Sequence, residues 1–194
     1  MKERIIACAL ALFRQYGIKG VRMDDIASGT GISKRTLYEH FTNKDELLDE
    51  CLHVRLEEQH LLISTDSNLI DELLVLYTTI QNLDLKSILR FCLELQRFYK
   101  PLYRMLLARL SDYAVACSEK VSSGINEGYL RPDTTPFLVR TVVCEYLVLL
   151  FTHAGSECEK IWNGVPPEII LVFIRGLCTI KGRAYLDRKL KEIA

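Results

Sequence analysis

Seven cysteines are scattered at 8, 51, 92, 117, 144, 158 and 178, and no two stand at CxxC spacing. Without a Cys or His cluster of ligand spacing there is no metal site to expect. An odd set of cysteines within apolar patterns reads as buried thiols rather than a disulfide framework. No GxGxxG or other phosphate loop is present, and the four histidines (40, 53, 60 and 153) lie far apart. No Ser-His-Asp or Cys-His arrangement is signalled, so an enzyme is not expected and neither is a cofactor. Excess charge is also missing: 25 basic residues meet 25 acidic ones, so any attraction to nucleic acid must be local. The apolar run from Phe137 to Phe151 is too short to cross a bilayer and is interrupted by Arg140 and Glu145. Lys2-Glu3-Arg4 opens an amphipathic pattern instead of the apolar stretch of a secretion signal, so a cytoplasmic location is expected.

No segment alternates with period two for long, which argues against a sheet. Hydrophobic residues make up 49% of the 194 positions, enough for a substantial core, and their spacing is helical throughout. The expected fold class is all-α, with about nine helices. Ile6, Ala9, Leu10 and Phe13 give a first helix over about 2–16 one apolar face, and Gly17 suits its end. A short second helix over about 24–28 carries Ile26 and Ala27, and Gly29-Thr30-Gly31 then supplies two residues tolerant of positive φ. Ser33 caps a third helix over about 34–40, with Leu37 facing inward. Asn43 and Glu46 form a capping-box pattern for a fourth, which runs to about residue 63.

A polar break at 64–68 separates a small N-terminal module from a larger C-terminal one. Further helices are expected at about 69–82, 85–99, from Pro101 to about 124, 134–153 and 167–185, with a loop at 155–164 and a charged tail.

Arg22 to Phe41 therefore reads as helix, glycine turn, helix. Between residues 14 and 44, Arg14, Lys19, Arg22, Lys34, Arg35 and Lys44 face only Asp24, Asp25 and Glu39, a local surplus of three positive charges. A helix laid in the DNA major groove must offer donors from its first turns. Lys34 and Arg35 can reach guanine or phosphate, and Thr36 a thymine methyl or a phosphate. Tyr38 and His40 can donate to phosphate oxygens, and Lys44 opens the next helix, where backbone amides also favour an anion. Singly, each has an ordinary reading as solvated surface, half-buried packing or helix cap. Together, after this turn, they point to DNA.

The motifs that carry a resemblance are Ala9-Leu10-x-Leu12-Phe13, Gly17-Ile18, Asp25-Ile26-Ala27, Gly31-Ile32-Ser33-Lys34 and, most specific, Leu37-Tyr38-Glu39-His40-Phe41-Thr42-Asn43-Lys44. On these the stretch from Ile5 to Leu52 resembles the N-terminal domain of the tetracycline-repressor (TetR) family of bacterial transcriptional regulators. The resemblance implies a helix-turn-helix DNA-binding domain over 1–48 (motif about 22–41) and a helical effector-binding and dimerisation domain over 49–194. It implies a homodimer that binds double-stranded operator DNA as an inverted repeat and is released by a small-molecule effector. By match of position Ser33, Lys34, Arg35, Thr36, Tyr38, His40 and Lys44 would contact the operator, with Tyr38 and Lys44 as phosphate anchors. The hydroxyl usual before the second helix is missing from Val21-Arg22-Met23; Arg22 stands in as the phosphate contact and Asp24 as the cap.

The helices at about 134–153 and 167–185 are apolar on most sides, which suits an interface, and they match the family's dimerising pair. Tyr77, Phe91, Arg97, Phe98, Tyr103 and Tyr113 are candidate effector-lining residues. Arg90, Arg97 and Arg104 recur every seven residues, and one turned inward would favour an anionic effector. The alternative from another class is a helical interaction adaptor or ligand-binding protein that keeps the helix-turn-helix for packing alone.

Overall fold

The structure is a computed structural model that describes residues 1–58, 67–82, 85–152 and 166–193. The described residues are helical, joined by short turns and one isolated antiparallel bridge.

The N-terminal head is α1 (Lys2–Tyr16), α2 (Met23–Thr30), α3 (Lys34–His40) and the first turns of α4 (Lys44–Glu58). Its helices are short, so packing must hold them. Ile5, Ala9 and Phe13 of α1 meet Ile26 and Ala27 of α2, Leu37 of α3, Phe41, and Leu47 and Leu48 of α4 in one buried core. The second helix is longer than its spacing predicts because Gly29 belongs to it. A Cβ at Gly29 would stand 2.8 Å from the Cys8 sulfur, so the glycine allows α1 and α2 to close. Of the two glycines, Gly31 alone takes the left-handed turn, at φ 68°.

The body is α5 (Leu69–Asn82), α6 (Leu85–Phe98), α7 (Lys100–Glu119), α8 (Val121–Asn126), α9 (Pro136–Thr152), α10 (Glu168–Leu177) and α11 (Ile180–Ile193). α9 packs mainly on α7 and on α6, and α10 packs on α5. Two predicted helices are each divided in the structure. The one after Pro101 breaks at Lys120, whose amine reaches Ser67 and lies 3.7 Å from the buried Glu72 carboxylate. The last one breaks at Cys178-Thr179, where the Arg131 amide donates to the Leu177 carbonyl (2.9 Å) and the Thr179 amide to the Tyr129 carbonyl (3.0 Å). The Thr179 hydroxyl then caps α11, accepting from the Gly182 amide at 3.1 Å. The charged residues expected as a tail are part of α11, whose Tyr185 hydroxyl donates to Asp71 at 2.8 Å. The predicted end of the fourth helix near 63 and the predicted loop at 155–164 lie outside the described residues.

Of the described cysteines, 51, 92, 117 and 178 are buried thiols, and 8 and 144 are partly buried. Burial pushes Cys51 and Cys117 up to about 12, so neither is a ready thiolate.

Candidate nucleic-acid interface

α3 is held by one side chain and started by another. Leu37 is completely buried in the core, where α3 packs on α2, and Phe41 closes the end of the helix behind it. The Ser33 side chain caps the helix: its Oγ accepts the Thr36 amide at 3.0 Å and lies 2.9 Å from the Thr36 hydroxyl. With Leu37 turned inward, Lys34, Arg35 and Tyr38 are exposed on the other side, as are Glu39 and His40.

The outward cations already have carboxylate neighbours. Lys34 Nζ pairs with Asp24 of α2 at 2.5 Å, and Arg35 Nε pairs with Glu39 one turn on at 3.1 Å. Both pairs are open to solvent, so they hold their partners weakly and can exchange for phosphate or a base edge. The Tyr38 hydroxyl and the His40 ring have no hydrogen-bond partner among the described residues, and Tyr38 is about half exposed, at 48%.

One correction concerns the start of α2, and one geometric finding the start of α4. The cap of α2 is not Asp24: Arg22 is the N-cap residue, and the Asp25 carboxylate reaches back to accept the Arg22 amide at 2.7 Å. An acidic residue three positions into a helix was the available signal for this bond. The Arg22 guanidinium stays exposed, with no partner among the described residues.

Lys44 is half-buried. Its amine donates to the carbonyls of Ile18 and Val21 and sits 5.8 Å from the centre of the Phe13 ring. Burial lowers its pKa, and the Glu94 carboxylate opposes that shift. In the free protein Lys44 thus braces the turn between α1 and α2. Beside it, Thr42 donates its amide (2.7 Å) and hydroxyl (2.6 Å) to Glu46, while the Glu46 amide donates to Asn43 Oδ1 (2.9 Å). Those donated bonds hold the Glu46 carboxyl below the ordinary glutamate range.

The six candidate effector-lining residues do not share one setting. Phe91, Tyr103 and Tyr113 are buried on α6 and α7, with the Tyr113 hydroxyl donating to the Glu72 carbonyl at 3.3 Å. Tyr77 is half-buried and accepts from Gln81 at 2.5 Å. Arg97 and Phe98 instead face out, and the Lys19 amine lies 4.8 Å from the centre of the Phe98 ring. None of the three spaced arginines turns into the body: Arg97 and Arg104 are exposed, and Arg90 binds the end of α1. Sequence reasoning missed that contact because it pairs residues 76 apart.

A family model for bacterial regulatory proteins of the tetR family matches residues 5–51. Over 147 residues, 71% of this chain and 73% of the relative, the chain is 26% identical to the HTH-type transcriptional repressor KstR2 of Mycobacterium tuberculosis. Over 47 residues, 24% of this chain and 25% of the relative, it is 43% identical to IcaR of Staphylococcus epidermidis, an HTH-type negative transcriptional regulator of the biofilm operon icaADBC. A crystal structure of a TetR-family transcriptional regulator from Marinobacter aquaeolei superposes with a TM-score of 0.67, covering 99% of this chain and 98% of that one at 14% identity. At that identity the likeness is one of fold.

Proposed function

We propose that this chain, a member of the tetR family of bacterial regulatory proteins, is a homodimeric repressor that binds an inverted-repeat operator and leaves it when a small molecule binds the body. As a DNA-binding transcriptional regulator it reads DNA with α3. The observation that carries the reading is the division of α3: Leu37 is wholly buried while Lys34, Arg35 and Tyr38 face outward. Lys34, Arg35 and Thr36 are assigned to base edges, and Arg22, Ser33, Tyr38 and His40 to phosphates. Lys44 is assigned chiefly to the shape of the head, with its backbone amide at the start of α4 available to a phosphate.

The division of labour is residues 1–48 for DNA and 49–194 for the effector and the dimer. Support for the dimer comes from the outer faces of α9 and α10. Phe137 is 69% exposed and Val172 70%, with the exposed Leu138 next to the first and the exposed Ile169 three residues before the second. A Cβ at Gly176 would meet open space, so a facing helix can come close there. Support for an effector site comes from the buried aromatics Phe91, Tyr103 and Tyr113, with Tyr77 near the α5 end of the same core. Release requires that the effector prefer a dimer shape unsuited to the operator; about 1.4 kcal/mol of preference weakens binding tenfold.

The test is Arg35→Ala, titrated against a duplex that the wild-type chain has selected from a random-sequence library. A bidentate base contact contributes about 1–3 kcal/mol, so the expected loss is about fivefold or more, with the dimer intact. Unchanged affinity for the selected duplex rejects the assignment of α3 as the reading helix.

A further inference from the structure

The turn between α1 and α2 is gripped from the body. Arg90, Glu94 and Phe98 stand four residues apart on α6, on one face, and all three reach it. The Arg90 guanidinium donates to the carbonyls of Arg14 (2.7 Å) and Gln15 (3.0 Å), which the end of α1 leaves open. Glu94 Oε2 accepts the Lys19 amide at 3.0 Å, and the Lys19 amine covers the Phe98 ring.

The fit at Glu94 is close. Gly17 turns the chain at φ 79°, and a Cβ there would stand 2.5 Å from Glu94 Oε1. Lys44 also holds the carbonyls of Ile18 and Val21, with the Glu94 charge acting on its amine. Phe91, Cys92 and Leu95 are buried and fix the rotation of α6, so its grip has a rigid base. The turn leads within three residues to Arg22, the N-cap of α2, against which α3 packs.

We infer that Glu94, a residue of the body, is a positioning residue for DNA binding: its carboxylate fixes the α1–α2 turn and so sets the pose of the reading helix relative to the body. The inference rests on the DNA-binding reading above. It has a distinctive sign. Removing a carboxylate should strengthen attraction to a polyanion if charge alone matters. A positioning role requires the opposite for specific DNA, because a head free to tilt no longer presents α3 in the register its partner needs.

The full-length chain is compared with Glu94→Ala, Glu94→Gln and, as a charge control, Asp112→Ala at an exposed site on α7. Each is titrated at one salt concentration against the selected duplex and against a random-sequence duplex of equal length. Glu94→Ala is expected to weaken binding to the selected duplex tenfold or more and to bind the random duplex at least as well as wild type. Glu94→Gln keeps an oxygen for the Lys19 amide and is expected to stay within about threefold on both. Asp112→Ala is expected to match or exceed wild type on both.

Wild-type or tighter binding of the selected duplex by Glu94→Ala overturns the inference, as does an equal loss in Gln and Ala. If Glu94→Ala does not fold, Glu94→Asp keeps the charge and shortens the reach; wild-type affinity in that variant overturns the inference as well. A wild-type chain that selects no sequence removes the DNA-binding reading and this role with it.

Discussion

The head and the body differ in what chiefly holds their helices, although Thr179 caps α11 of the body as Ser33 caps α3 of the head. In the head, polar side chains sit at the ends of short helices and saturate backbone groups there: Asp25 at α2, Ser33 at α3, Asn43 and Glu46 at α4. In the body, Glu72 is buried and Tyr113 donates to its carbonyl from inside the core, while Val172, Phe137 and Ile180 are left outside. Helices of seven or eight residues cannot persist by themselves, so the head needs caps and a central plug. The longer body helices are held by burying one face, and whatever apolar surface remains outside is available to a partner. Local chemistry thus defines the head, and long-range packing defines the body.

Three substitutions would break or sharpen that contrast. The largest effect is expected from Leu37→Ala. Truncating a fully buried leucine costs about 2–5 kcal/mol, concentrated in the head. Hydrogen exchange should rise across α1–α3 while α7 and α9 stay protected; uniform loss of protection would show that head and body do not separate energetically.

Next is Val172→Asp on the outer face of α10. A charge placed in the proposed interface should weaken the dimer about a hundredfold, or about 2.8 kcal/mol, with the helical content unchanged. Sedimentation over a concentration series measures it, and an unaltered dimer would move the interface elsewhere.

The smallest effect is expected from Ser33→Ala, which removes the cap of α3 at a cost of about 1 kcal/mol. Its melting temperature should fall modestly and its affinity for the selected duplex should fall with it. A drop in affinity with no change in stability would make Ser33 a DNA contact first and a cap second.

Much of the head was legible because its signals are local. Ser33 with Thr36, Asn43 with Glu46 and the inward Leu37 are three- and four-residue patterns, readable without knowing the fold. The errors there were of one kind. Asp24 and Asp25 are neighbours, and only the path of the chain decides which one turns back to the Arg22 amide and which one turns to Lys34. Gly29 looked like a turn residue because its helical role depends on Cys8, 21 positions earlier. In the body, apolar spacing located the helices but not their breaks. Cys178-Thr179 reads as helix until Tyr129 and Arg131 arrive to pair with it. The seven-residue recurrence of Arg90, Arg97 and Arg104 suggested a stripe toward a ligand, yet Arg90 serves the end of α1 and the other two face solvent.

The sequence alone determined the all-helical class, the helix-turn-helix pattern and the resemblance to the tetR family over residues 5–51, because helix periodicity, caps and motif spacing are properties of neighbouring residues. Only the tertiary structure decided that Lys44 turns inward to brace a turn, that Asp25 caps α2, and that Glu94 meets Lys19 across 75 positions. The physical reason is the range of the forces involved. A cap or a periodic face is complete within a few residues, whereas a half-buried amine or a gripped turn exists only once distant segments have come together around it.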